Sequence, residues 1–304
     1  MNLIAVATLL GLLSVVLLGP ASVWLAEAAW VSRAPRAAVI LWQCIGLSAV
    51  VSGIGTGLAV AVYRYHVGFA SGVRELAAGL VGGHPLQGLG LPDALGLTLA
   101  ADLLIVLVVV SCSFAARTIN SRARHRRLLD LLAKRSAELP GTDLIDDDRP
   151  LAYCLPGRRP RIVISEGARC LLSPPQLRAV IEHERGHARA HHALVLLPLV
   201  GIRKIFGWIP YAQLAPREIA CLLEMSADDF SARRNDPVSL ASALVHMATS
   251  GRVPACALAV SGNPVPRRVG RLLAASRTSK TAALMAGLVA GAVVVAPVAV
   301  IALS

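Results

Sequence analysis

Four stretches of this chain are long and apolar enough to cross a bilayer as helices: about Leu3 to Leu18 with an extension towards Trp24, about Ala37 to Tyr63, about Leu97 to Ala116, and Ala282 to Leu303. A span takes roughly 20 apolar residues, and a helix is the one open element that satisfies its whole backbone inside lipid. The pattern therefore predicts a mainly α integral membrane protein with four transmembrane helices. Composition agrees, because only 16% of residues are charged while 55% are hydrophobic. A soluble domain carries about 25% charged residues. The first segment has no positive n-region, so it reads as a retained span rather than a signal peptide.

The net charge of +12 is unevenly placed. Between Arg117 and Lys280 there are 26 Lys/Arg against 14 Asp/Glu, and the remainder holds 4 of each. A basic block bounded by spans is the positive-inside signal, so no direct nucleic acid binding is expected. Arg33 and Arg36 in the first loop point the same way, and the loop from Arg64 to Leu95 is close to neutral. These charges predict a multi-pass cell-membrane protein with both termini extracytosolic and the block cytosolic. The expected organisation is three spans within residues 1–116 (about 3–19, 37–63 and 97–116), a cytosolic domain over 117–280, and a fourth span over 281–304.

Cys44, Cys112, Cys154, Cys170, Cys221 and Cys256 include no C-x-x-C pair, and a block in a reducing compartment predicts free thiols. Two G-x-x-x-G patterns, Gly53 to Gly57 and Gly287 to Gly291, offer close helix packing, within the chain first and in a homodimer second. Asp102, near the outer end of the third span, reads as solvated. Arg117 to Pro140 begins as a basic continuation of the third span along the membrane surface, Gly141 to Pro150 reads as a linker, and the runs around Pro-Gly-Arg-Arg-Pro (156–160) read as a β-hairpin.

Chemistry concentrates in "SPPQLRAVIEHERGHARAHHA". Ser173 is a plausible N-cap with Pro174 at the first helical position. On the helix that follows, His183 and His187 stand one turn apart on one face, with Glu184 beside them. Two such imidazoles can hold Zn²⁺, and the glutamate can take a proton from water. A catalytic zinc wants a third protein ligand. Glu224, in the helical pattern "APREIACLLEMSADDFSARR", supplies one, and Asp228 one turn later is placed to hydrogen-bond a ligating imidazole. One zinc per chain is expected. His191, in register with both histidines, reads as a substitute ligand or substrate contact on one side and, with His192, as a helix-end feature on the other. Arg267 or Arg268 reads as an oxyanion partner or as a basic helix start beside headgroups. "ALVLLPLVGIRKIFGWIP" (193–210), split by Pro198 and Arg203-Lys204, is expected to dip into the interface or pack on the spans.

H-E-x-x-H followed by Glu224-Met225-Ser226-Ala227-Asp228 resembles the membrane-embedded gluzincins, which include the HtpX and CAAX-protease group and the BlaR/MecR antirepressor peptidases. A peptidase block between a third and a fourth span resembles the BlaR/MecR arrangement more closely. That resemblance implies a cytosolic α+β gluzincin-like domain, with His183, His187 and Glu224 as ligands, Glu184 as general base and acid, and Asp228 as the orienting acid. It also implies a protein substrate, a transcriptional repressor of the BlaI type. Those receptors carry a penicillin-binding sensor domain after the fourth span, and this chain has no extracytosolic S-x-x-K motif, so β-lactam sensing by acylation is not expected. The rival readings are a membrane-protein quality-control protease of the HtpX type and a signalling protein with a structural zinc site.

Overall fold

The computed structural model describes residues 1–82, 90–136, 138–157, 159–190, 195–250, 265–274 and 279–304. It is mainly helical, with one small sheet, and four of its helical stretches have the length and apolarity to cross a membrane. The first pairs α1 (Leu3–Leu18) with α2 (Pro20–Glu27), broken at Gly19 because the residue before a proline disfavours helical backbone. The second is α3 (Pro35–Val62), and α4 (Phe69–Val81) follows it. The third lies within α5 (Leu91–Leu132), and the last is α12 (Lys280–Ala302).

At one end of the bundle Leu3, Val62 and Phe69 pack with Leu97 and Val300, and the Met1 ammonium donates to the Leu303 carbonyl at 3.0 Å. Both termini meet there. At the other end the Ser279 amide donates to the Arg33 carbonyl at 2.9 Å, beside the short 3₁₀ turn Ala29–Arg33. The span helices are apolar all round, as helices facing hydrocarbon must be.

The first G-x-x-x-G pattern packs within the chain. A Cβ on Gly57 would lie 2.5 Å from the Gly96 carbonyl oxygen and 2.9 Å from the Ala100 amide, so α3 and α5 touch backbone to backbone. Gly57→Ala is expected to force them apart and cost about 1–3 kcal/mol, read as a lower melting temperature in detergent. Gly287 and Gly291 face open space. Asp102 is exposed.

α5 has 42 residues and so runs about 63 Å, twice a bilayer's hydrocarbon thickness. It continues unbroken through Ala116 and Arg117. Its far end is bolted to the sheet: Leu129 packs on Leu155 and Val163, and Arg126 Nη2 donates to the carbonyls of Pro156 (3.1 Å) and Arg159 (2.9 Å).

The sheet has the order β1-β2-β4-β3, from β1 (Lys134–Arg135), β2 (Thr142–Ile145), β3 (Ala152–Leu155) and β4 (Arg161–Ser165). β3 and β4 form the expected antiparallel hairpin, with Leu155 opposite Arg161. The Gly141 to Pro150 segment is more than a linker, because β2 lies inside it and pairs parallel to β4. Its acidic look is misleading: Asp143 is buried and ion-paired with Arg161, so the strand carries no free charge into the sheet.

After α6 (Glu166–Leu171) come α7 (Pro174–Ala190), α8 (Leu197–Ile205), α9 (Pro210–Ser231), α10 (Pro237–Thr249) and α11 (Val265–Leu273). α8 packs against α5, with Gly201 against Val110 and Phe114. Ile162 and Ile164 pack with Leu177, Val180, Ile181, Leu240 and Leu272 in one core. α9 is shared: Ile219, Leu222 and Met225 join Leu41, Trp42 and Ile45 of α3 in another. The helix bearing Glu224 is therefore built into the membrane bundle. Cys44, Cys112, Cys154, Cys170 and Cys221 are free thiols, and Cys256 lies outside the described residues.

Candidate metal centre

α7 begins as its sequence dictates. Pro174 takes the first position, and Gln176 Oε1 accepts from the Ser173 amide at 3.0 Å, which satisfies a donor the helix leaves free. Leu177, Val180 and Ile181 then bury one side of the helix. Gly186, inside the H-E-x-x-H motif, lets α9 come close, since a Cβ there would lie 3.2 Å from Ala227 Cα. Ser231 Oγ donates to the Ala179 carbonyl at 2.7 Å, a second tie between the two helices. From the other side Tyr211 Oη donates to the Trp42 carbonyl at 3.2 Å and anchors α9 to α3.

These contacts bring together His183 and His187 from α7 with Glu224 from α9. The two Nε2 atoms are 3.1 Å apart, His187 Nε2 is 3.3 Å from Glu224 Oε1, and His183 Nε2 is 3.4 Å from Glu224 Oε2. His183 Nδ1 lies 3.0 Å from Asp228 Oδ1, off the line of a formed hydrogen bond.

Arg268 of α11 closes the site. Its Nε and Nη2 grip Asp228 at 2.9 and 2.7 Å, and its Nη1 is 2.9 Å from Glu224 Oε2. The reading of an arginine beside headgroups does not hold for Arg268, which is 6% exposed, because the buried Asp228 and the half-buried Glu224 require a cation between them. Its guanidinium is spent on Asp228 and Glu224. Arg267 turns elsewhere, to Glu218 Oε2 (2.9 Å) and Ser32 Oγ (2.9 Å). Arg271 pairs with Asp229 at 2.7 Å and donates to the Ser32 carbonyl at 2.7 Å, so α11 is pinned to the turn between the first two spans.

The electrostatics follow from this packing. Burial raises the Glu184 carboxyl above its ordinary range, with the charges of His183 and His187 pulling the other way. Burial would also raise Glu224 and Asp228, but Arg268 and the imidazoles override it, holding Glu224 well below the usual range and Asp228 at about 2. For His183 burial favours the neutral ring, and the carboxylates of Asp228 and Glu224 close beside it outweigh that and raise the pKa. Cys154 on β3 is pushed up to about 12 by burial and then by the charge of Glu184, which leaves a neutral thiol and no thiolate nucleophile.

The donor set fits zinc. Ligand bonds of about 2.0–2.1 Å in a tetrahedral site put donor atoms about 3.3 Å apart. The three separations here, 3.1, 3.3 and 3.4 Å, bracket that value. His191 and His192 lie outside the described residues. Sequence reasoning had no means of pairing Arg268 with Asp228, forty residues away. The available signal was the demand of two acids one turn apart for a counter-charge, with three arginines on one short helix able to meet it.

Residues 119–252 match the model described as peptidase family M48. M48 peptidases are zinc metalloproteases, so the match supports a membrane-associated zinc metalloprotease. It spans His183, Glu184, His187, Glu224 and Asp228, while Arg268 falls beyond it. No curated protein and no solved structure matches the chain.

Proposed function

We propose that this chain is a membrane-anchored zinc endopeptidase that cleaves a cytosolic protein, a repressor of the BlaI type. The observation that carries the peptidase reading is the meeting of His183, His187 and Glu224 at tetrahedral spacing, with Glu184 on the same turn as His183. His183, His187 and Glu224 would hold the metal. Zinc bound there would polarise a scissile carbonyl and acidify a water molecule. Glu184, its carboxyl raised by burial, takes the proton of the attacking water and returns it to the leaving amine. Asp228 holds the His183 ring from the Nδ1 side, and Arg268 keeps Asp228 and Glu224 ionised and in place.

Sidedness rests on charge. The basic block between the third and fourth spans faces the cytosol, with both termini outside. The repressor substrate rests on the resemblance to the BlaR/MecR peptidases and on the three spans that precede the H-E-x-x-H helix. The test is to reconstitute the zinc-loaded chain with a BlaI-type repressor or with an unfolded membrane protein. Cleavage of the repressor by the wild type, absent with Glu184→Gln, is expected. Cleavage of the unfolded membrane protein alone assigns the chain to quality control. No cleavage of either, with zinc bound, would overturn the peptidase reading.

A further inference from the structure

Outside the metal centre, the described residues enclose an apolar cleft of about 310 Å³ among the spans. It arises from the way α3 and α5 cross. They touch at Gly57 and Gly96, then part towards the end of the bundle nearest the peptidase domain, where Gly46 to Gly53 on α3 face Leu103 to Val110 on α5. Leu18 of α1 forms a further wall, and Leu199, Ile202, Phe206 and Tyr211 close the inner end. Of the four polar side chains at its edge, three donate within the protein, Ser14 Oγ to the Ala49 carbonyl, Gln43 Nε2 to Val195 and Tyr211 Oη to Trp42, and Ser111 is the fourth. A cavity so lined selects hydrocarbon. It is too small for a transmembrane segment, since a helix with its side chains is about 10–12 Å across.

The inner end adds charge. Arg203 and Lys204 sit on α8 directly after Ile202, and Lys204 Nζ lies 5.7 Å from the centre of the Phe114 ring, one turn beyond Val110. Among the described residues no ion pair to an acid is formed by either cation. Neither cation lines the cleft; both follow Ile202 on α8 just past its inner end. An apolar slot with cations within a side chain's reach of its mouth matches one lipid class.

We propose that this cleft is a binding site for an anionic phospholipid, with one acyl chain between α3 and α5 and the phosphate against Arg203 and Lys204. The occupant would border Tyr211, the residue that begins the metal-site helix α9. The site depends on the spans lying in a bilayer and is independent of the peptidase reading.

The test uses the full chain in detergent with phosphatidylglycerol or phosphatidylcholine, each carrying a photoreactive diazirine in its acyl chain. Labelling of the wild type should concentrate on residues 43–53, 103–111 and 199–206. Leu107→Trp fills the cleft with an apolar side chain and should lower that labelling about tenfold for both lipids. Arg203→Ala with Lys204→Ala should keep labelling by phosphatidylcholine and abolish an about tenfold preference for phosphatidylglycerol. Label spread evenly over the outward faces of α5 and α12 in the wild type means ordinary surrounding lipid, and overturns the proposal. Equal labelling of wild type by the two lipids overturns the phosphate contact, and that result needs no variant to fold.

Discussion

Arg268→Ala should destabilise the protein by about 3–5 kcal/mol, because it strips the counter-charge from a buried carboxylate. Asp228 is 1% exposed and receives two hydrogen bonds from Arg268, so no water can replace the lost partner without the packing opening. The same change frees Glu224, which Arg268 holds at 2.9 Å, and loosens the orientation of His183 through Asp228. Zinc affinity should fall by about 10–100-fold, as it does when partners behind metal ligands are removed. Fluorescence melting in detergent and zinc competition with a chelating dye measure the two effects. Arg268→Lys should recover part of the stability and less of the affinity, since a point charge cannot reproduce a planar fork. Melting of Arg268→Ala at the wild-type temperature would show that the clamp is not a source of stability. Arg268→Ala with Asp228→Asn supplies the cycle, and the double variant should be more stable than the sum of the two single losses predicts.

Glu184→Gln should lower the cleavage rate by about 10²–10⁴-fold while zinc content stays at the wild-type level. Glutamine has nearly the same shape and cannot accept the proton of an attacking water. Glu184 lies beside the His183–His187–Glu224 cluster without being one of its three donors, so the fold and the metal set should survive the change. The measurement pairs metal analysis with the rate of substrate loss, and kcat should carry the effect more than KM. Unchanged cleavage by Glu184→Gln would remove this residue from the mechanism. Loss of zinc together with activity would make it a structural part of the site instead.

Much of the architecture was legible in one dimension because its causes are local. Hydrocarbon thickness fixes span length, so the four apolar runs announced the helices, and TM-length stretches appear at Leu3–Glu27, Pro35–Tyr65, Leu91–Leu132 and Lys280–Ala302. One-turn spacing places His183 and His187 on one face of any helix that forms there. The hairpin was announced by Pro-Gly-Arg-Arg-Pro between two apolar runs. β2 was not legible, since Thr142–Ile145 pairs with β4 and Asp143 with Arg161, eighteen residues on, and both contacts are long-range. The continuation of the third span past Arg117 was legible, but the docking of its end on the sheet was not, because the contacts of Arg126 and Leu129 with the sheet are long-range.

The sequence by itself determined that this chain is rich in membrane-length helices, that its excess charge lies between the third and fourth of them, and that two histidines share a turn with a glutamate. Helical periodicity and hydropathy act over a few residues, so they need no partner to be read. Glu224 was already the expected partner of those histidines, and tertiary structure decided that it meets them and which arginine holds it. It also decided that the helix bearing Glu224 packs on Trp42 inside the bundle. Those outcomes depend on which surfaces fit once backbones can approach, at Gly186 against Ala227 and Gly57 against Gly96, and such fit is a property of the packed chain.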